Sequence, residues 1–375
     1  MTSMTGANKT TRPHSVLRRL LLAQESGLVL VIILVMLGLT IFGGTKEKRV
    51  KDEATGEWTK ITVNKFLDFE NIVLLAKDAS FIAIMAVGMT AIIVMGGIDL
   101  SVGSIYALAA LLGAMALRAL QAQWLHMSYS DASIPTAGGA PLVVSVLVGV
   151  GMCCLVGALC GFANGAMVVG LRVHPFIITL GTMGALRGIV FIVSKGTSVS
   201  SLPESFTSGF FKAQMAGVYP VPVLVMILVA LIGHVVMTRM VLGRRTYAIG
   251  GNETAAIYAG IPVGRVKIIM FTLVGMLSGL SAAANIGYLG ASDANAGNGY
   301  ELSVIAASVI GGAALSGGRG SALGAVLGAI LIQLIANSLI ILDVDSSWTN
   351  VAMGAAIIIA VLLDQAKSRL TSGRA

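Results

Sequence analysis

Apolar, uncharged runs of about 18 residues or more recur along most of the chain, far more than a soluble core can use. Inside a bilayer every backbone polar group must be bonded within the chain, so each run folds as a helix long enough to cross the hydrocarbon. Such runs fall at 26–45, 79–98, 100–117, 142–171, 213–238, 268–292, 320–342 and 346–363. Two weaker runs, 302–318 and 173–195, the latter interrupted by Arg187, bring the expected number of spans to ten. The 142–171 span is the back part of a longer run, cut by Pro135 and a Gly-Gly-Ala-Pro turn at 138–141. The expected fold is an all-α integral membrane protein with about ten transmembrane helices.

Composition agrees. Only 11% of the 375 residues are charged, against about 25% in soluble domains. The net charge of +8 gives no argument for nucleic acid, because the basic residues flank apolar runs, where they orient a chain against membrane lipid. Residues 1–25 read as a cytoplasmic tail, 26–365 as the transmembrane domain and 366–375 as a second cytoplasmic tail. The apolar run after Arg18 and Arg19 is long enough to stay as a span, and no A-x-A-like site follows it, so no cleaved leader is expected. With both termini and the 239–267 loop inside, fourteen Lys and Arg fall on the inner side and ten on the outer. Seven of those ten lie at 45–78, interleaved with seven acids.

The longest basic interruption in the second half is the loop 239–267. It carries Arg239, Arg244, Arg245, Arg265 and Lys267 against one acid, Glu253. Its middle, Asn252 to Gly260, is Ala-rich, opened by an Asn and closed by a Gly, which predicts a short helix. Such a helix held between spans is a surface on which a partner can push.

A weak internal repeat runs through the chain. An acid-Leu-Ser-Val step opens a small-residue helix at Asp99 and again at Glu301. Each step is followed by glycines at four-residue spacing, Gly157, Gly161 and Gly165 in the first case and Gly320, Gly324 and Gly328 in the second. That spacing lets helix backbones approach closely in lipid. The matched spans are the third and the eighth, so the two halves are expected to be inverted repeats, an arrangement found in transporters.

Asp99 and Glu301 are the most informative ionisable residues, since intramembrane carboxylates are costly and seldom idle. One reading makes each a cap, with Ser101 and Ser303 beside it, on orphan N–H groups at a helix start. The other places both beside a hydrophilic path that Asn164 also lines; Asn164 could equally bridge helices. The two readings are compatible. Arg187 is expected to snorkel or to bond a facing carbonyl, with a substrate contact as the alternative. His174, before Pro175, reads as structural. Cys153, Cys154 and Cys160 share one apolar run without C-x-x-C spacing and read as small packing residues. No catalytic, metal or cofactor motif is found: the histidines lack metal spacing, and no H-E-x-x-H or G-x-S-x-G is present. The segment GGAALSGGRGS at 311–321 lacks the P-loop lysine and reads as a tight turn between spans, so ATP hydrolysis would have to come from another subunit. Aromatic residues make up only 6% of the chain, which points to a weak, wet path rather than a deep site of stacked rings.

Five stretches in order carry a resemblance: AVGMTAIIVMGGIDLSVGSIYAL (86–108), HPFIITLGTMGALRG (174–188), RRTYAIGGNETAAIYAGI (244–261), GNGYELSVIAASVIGGAALSGGRGS (297–321) and VLLD (361–364). Together they resemble the permease subunit of bacterial ABC importers for monosaccharides, the ribose, xylose and galactose group. The resemblance implies a ten-span inner-membrane permease, not itself an enzyme, that works as a homodimer. It also implies cytoplasmic ATPase subunits and a periplasmic sugar-binding protein as partners. The segment similar to the ATPase-coupling helix of such permeases is Gly250, Gly251, Asn252, Glu253, Ala255, Ala256 and Gly260. Asp99, Ser101, Asn164, Glu301 and Ser303 are the candidates for the substrate path. The chain departs from the family in two places: Ile257 and Tyr258 stand where a basic residue is usual, and polar inserts occur at 45–65 and 119–141. The alternative is an ion-coupled secondary transporter with Asp99 and Glu301 as proton sites, against which the 239–267 loop stands.

Overall fold

Helices account for nearly all of the regular structure in the computed structural model, which describes residues 24–51, 58–131, 133–345 and 347–356, with 358, 359 and 362. Seven are long and apolar enough to cross a membrane: α2 (Phe69–Val94), α3 (Val102–Trp124), α4 (Leu142–Leu171), α5 (Pro175–Ser194), α6 (Pro220–Arg239), α9 (Val263–Leu289) and α11 (Ala322–Ile341). Two shorter apolar helices, α1 (Gln24–Phe42) and α10 (Tyr300–Ile310), stand at two more expected positions. The last expected span, 346–363, falls partly outside the described residues, as do the two tails.

The all-helical expectation fails at the 45–65 insert. There β1 (Thr45–Lys51) and β2 (Trp58–Asn64) pair antiparallel, Thr45 opposite Asn64 and Lys51 opposite Trp58. A lone two-stranded hairpin is marginal in water, and this one is pinned. Lys46 and Lys48 reach the nearly buried carboxylate of Asp68 at 2.6 and 2.9 Å, and Lys65 pairs with Asp343 at 2.6 Å. Asn64 donates to the Thr40 carbonyl at 2.8 Å. The hydrogen bonds from Lys46 and Lys48 hold the Asp68 carboxyl below its usual value of 3.8. The folded pKa is thus below the unfolded one, so this anchoring is complete above pH 3.8 and is lost as pH falls through the lower folded value. We expect Trp58 emission, read in a Trp124→Phe/Trp348→Phe background, to change only below pH 3.8. A transition near neutral pH would exclude Asp68 as the anchor.

Charge misplaced the start of α2. Expected at 79, the helix begins ten residues earlier at Phe69, because Lys77 is buried against neighbouring groups rather than exposed. Similarly, α3 continues past Arg118, whose guanidinium donates to the Asp131 carbonyl at 3.0 Å and lies over the Tyr129 ring. The span expected at 302–318 shortens to eleven helical residues, α10, about 16 Å of helix and too short to cross by itself. Beyond it, Gly312, Gly317, Gly318 and Gly320 all adopt positive φ and end the helix in a turn.

The tightest helix pair is α4 with α9. Gly157, Gly161 and Gly165 lie against the backbone of Gly275, Phe271 and Ile268, and Gly279 of α9 lies against the Cys153 carbonyl. The four-residue spacing read from the sequence is therefore a real contact face. Its counterpart in α11 does the same work: Gly324 and Gly328 abut the carbonyls of Gly311 and Ala307. Cys153 is fully buried, its thiol donating to the Ala109 carbonyl at 3.2 Å, a packing role as expected.

The 239–267 loop is largely helical. It folds as α7 (Val241–Gly251) and α8 (Glu253–Tyr258), and it sits at the end of α2 opposite the hairpin. About 39 Å of helix separates the two ends of α2. Arg172, the 239–267 segment and the 311–321 turn thus share one face of the bundle. The hairpin and Asp343 occupy the opposite face.

Candidate functional site

Two places combine polar groups in a way that apolar packing does not require. The first is inside the bundle, where the lead-ins to α3 and α10 meet. After α2 the chain breaks at Gly96, with φ +85°, and turns back through Ile98 and Asp99. Asp99 is wholly buried; its Oδ1 accepts from the Ser101 N–H at 2.8 Å and from the Ser101 hydroxyl at 2.6 Å. Asn164 of α4 donates to the Ser101 hydroxyl oxygen at 2.8 Å, so it bridges two helices. It lies about two turns from the end of α4. Thr179 of α5 donates to the Ile98 carbonyl at 3.3 Å.

Glu301 enters from the other side, in the first turn of α10, after Gly297 and Gly299 at φ +68° and +79°. Gly103, in the first turn of α3, touches the Glu301 carboxylate and the Gly297 carbonyl, with no space for a side chain. Two helix starts thus meet backbone to backbone, each beside an acid. Arg187 ties them together, donating to the Ala296 carbonyl at 2.7 Å and to the Gly103 carbonyl at 3.5 Å. The facing-carbonyl reading of Arg187 is the one the geometry gives. One oxygen each of Asp99 and Glu301, and the Ser104 hydroxyl, are buried without a hydrogen-bond partner among the described residues. Ser303 is buried but faces elsewhere, its hydroxyl bonded to the Gly299 carbonyl at 3.4 Å and near the Met353 sulfur at 3.2 Å. Four of the five path candidates therefore converge, and Ser303 stands apart. His174 caps α5, its Nδ1 accepting from the Phe176 N–H at 3.3 Å.

The second place is the exposed short helix α8. Asn252 caps it, its Oδ1 accepting from the Ala255 N–H at 2.9 Å, and Gly260 ends it at φ +76°. Glu253, in the first turn where the helix dipole favours an acid, pairs with Lys267 at 2.6 Å. Within the helix only Ala256 is buried; Ala255 is exposed, and Ile257 and Tyr258 are 56% and 87% exposed. An apolar pair so placed on a polar end is a contact surface without a partner among the described residues. Gly250 is seated against the Val94 carbonyl and Gly318, with no room for a side chain, while Gly251 faces open space. Gly318 N–H donates to the Val94 carbonyl at 2.8 Å, and the Tyr247 hydroxyl donates to the Gly320 carbonyl at 2.6 Å. The base of the short helix is thereby joined to the ends of α2 and α11. Between α8 and the Gly96–Gly97 break lies a cavity of about 650 Å³, lined in part by Arg172, His174, Glu253 and Lys267.

A helix bundle with a buried polar layer at two helix starts, and one exposed short helix between spans, defines a multi-pass membrane permease. The chain belongs to the family described as branched-chain amino acid transport system / permease component, whose profile matches residues 71–362. It is 37% identical over 304 residues to the D-allose transport system permease protein AlsC of Escherichia coli, covering 81% of this chain and 86% of that one. It is 38% identical to the ribose import permease protein RbsC of Bacillus subtilis, covering 81% and 87%. The fructose import permease protein FrcC of Rhizobium meliloti is 33% identical, with 80% and 79% covered. No solved structure matches the chain. The hairpin at 45–64 precedes the matched region.

Proposed function

We propose that the chain is the translocating subunit of an ATP-driven ABC importer that carries a monosaccharide across the inner membrane by alternating access. Its likeness to allose, ribose and fructose import permeases along most of its length supports this reading over the ion-coupled alternative. ATP hydrolysis belongs to a separate subunit, and a periplasmic binding protein delivers the sugar. Two copies of the permease, each with about ten spans in two inverted halves, form the path, with both termini in the cytoplasm.

The observation that carries the coupling role is the placement of α8. It is exposed through Ile257 and Tyr258, and its base at Gly250 is wedged against the ends of α2 and the 311–321 turn. An ATPase subunit seated on α8 moves those ends together, and both lead toward the buried polar layer. The energy enters as different affinities of the ATPase for the two permease states. In that layer Asp99, Ser101, Asn164 and Glu301 gather at two helix starts, and one oxygen of each acid is left unpaired among the described residues, a group that a polyhydroxylated solute can bond when the layer opens.

Deleting residues 252–260 and closing the gap with a Gly-Ser linker leaves a folded permease that neither retains the ATPase on purification nor supports ATP-dependent sugar uptake in vesicles. Normal uptake by this variant would refute the coupling assignment.

A further inference from the structure

A permease core needs only its helices, yet this chain holds a β-hairpin in a fixed place on the face opposite α8. Alternation along the strands gives the ribbon two faces. Lys46 and Lys48 lie on one, with Val63 and Ile61 across from them, and they reach Asp68 at 2.6 and 2.9 Å, so this face is turned to the bundle. The other face carries Glu47, Arg49, Trp58 and Lys60. With charge on both faces, the ribbon has no apolar side on which to lie in lipid. Trp58 is nonetheless 67% exposed. Lys60 is held by Glu47 at 2.8 Å, whereas Arg49, directly across from Lys60, has no acid partner among the described residues. Trp and Arg are the residues that most often carry binding energy at protein interfaces.

The root of the ribbon is fixed to three helices. Asn64 bonds the Thr40 carbonyl of α1 at 2.8 Å, and Lys48 reaches Glu70 in the first turn of α2 at 3.2 Å as well as Asp68. Lys65, the residue after β2, pairs with Asp343 just past α11 at 2.6 Å and donates to the Ile341 carbonyl at 3.5 Å. Near these ends α2 and α11 are joined by a reciprocal amide pair, Asn71 donating to Asn337 at 3.3 Å and Asn337 to Asn71 at 2.8 Å. At the opposite ends, Gly320 before α11 lies against the side chains of Val94 and Thr90 of α2, and Gly250 at the base of α8 sits on Val94 and Gly318. One pair of helices thus runs from the root of the hairpin to the base of α8.

We propose that the outward face of the hairpin docks the importer's sugar-binding protein, and that the α2–α11 pair carries this contact to α8. The proposal rests on the reading of the chain as an importer subunit with α8 on the ATPase side. Trp58 enters an apolar pocket of the partner, and the Arg49 fork meets a carboxylate at the rim of that pocket. Lys65 is a positioning residue: it holds the ribbon on Asp343 without touching the partner. A loaded binding protein that favours one arrangement of α2 and α11 thereby shifts the affinity of the ATPase for α8.

The test uses the full-length permease, assembled with its ATPase in lipid nanodiscs, and its sugar-binding protein loaded in turn with D-ribose, D-allose and D-fructose. Trp58→Ala with Arg49→Ala is expected to weaken docking of the binding protein at least tenfold and to leave ATP hydrolysis in its absence unchanged. Lys65→Ala with Asp343→Ala is expected to keep docking within threefold and to lose at least half of the stimulation of ATP hydrolysis by the binding protein. Undiminished docking in the first pair would overturn the docking face, and full stimulation in the second would overturn the α2–α11 route. Emission of Trp58, read in a Trp124→Phe/Trp348→Phe background, is expected to shift when the binding protein is added. Quenching by brominated lipid, with no response to the binding protein, would give this face to the membrane and overturn the proposal. An unsubstituted complex that neither docks the binding protein nor is stimulated by it would instead count against the importer reading itself.

Discussion

Gly161→Leu is expected to abolish the folded permease. Gly161 faces the Phe271 carbonyl and the Thr272 α-carbon of α9, and its neighbours on the same stripe, Gly157 and Gly165, meet α9 backbone as well. The obstacle to a larger side chain is main chain, so no rotamer change on the facing helix makes room. Overpacking in a core typically costs about 1–3 kcal/mol, but that figure assumes side chains that can yield. Here α4 and α9 would have to separate along their length, and in lipid no hydrophobic force draws them back, because close packing is itself what holds helices together. Gly161→Ala, which adds one methyl, lowers the melting temperature without abolishing folding. Gly170→Leu provides the control: it lies on the same helix with open space around it. Fluorescence-detected size exclusion and thermal unfolding in detergent read all three. If Gly161→Leu elutes and melts like Gly170→Leu, the close approach of α4 and α9 is wrong.

Arg187→Ala is expected to destabilise the protein by about 1–3 kcal/mol, the scale of leaving buried acceptors unpaired, and to stop uptake. Arg187 supplies donors to the carbonyls of Ala296 and Gly103, and Gly103 itself packs on Glu301. Without it two helix starts lose their tie. Arg187→Lys retains the charge but cannot reach two carbonyls with one fork, so it recovers stability in part and transport little. Arg187→Met combined with Glu301→Gln removes the charge imbalance and should recover most of the melting temperature while uptake stays low. That split separates a structural tie from a role in the path. Equal loss of stability in the single and double variants would show that Glu301 does not depend on Arg187.

The parts of this fold that the sequence made legible are those decided within one helix or one turn. Run length located the helices, because lipid tests each segment for backbone satisfaction and apolarity independently of its neighbours. The short helix α8 was readable from Asn252 and Gly260, since capping is local chemistry. Glycines at four-residue spacing announced the contact faces of α4 and α11, though not which helix each would meet. The start of α2 was misread for the same reason that the other helices were found: a charge-based boundary assumes that Lys77 has no partner. That partner, the Tyr288 ring, lies more than two hundred residues along the chain.

Asp99 and Glu301 were marked by the sequence as paired acids at two helix starts. Only the tertiary structure brought those starts together, through the absent side chain of Gly103 and the reach of Arg187 from α5. Likewise, the sequence singled out the segment from Gly250 to Gly260, and the packing of Gly250 on Val94 and Gly318 decided what that segment can move. Hydropathy, spacing and capping are properties of neighbours in the chain. Whether a buried charge is matched depends on which helices adjoin, and that is settled by contacts between residues distant in sequence.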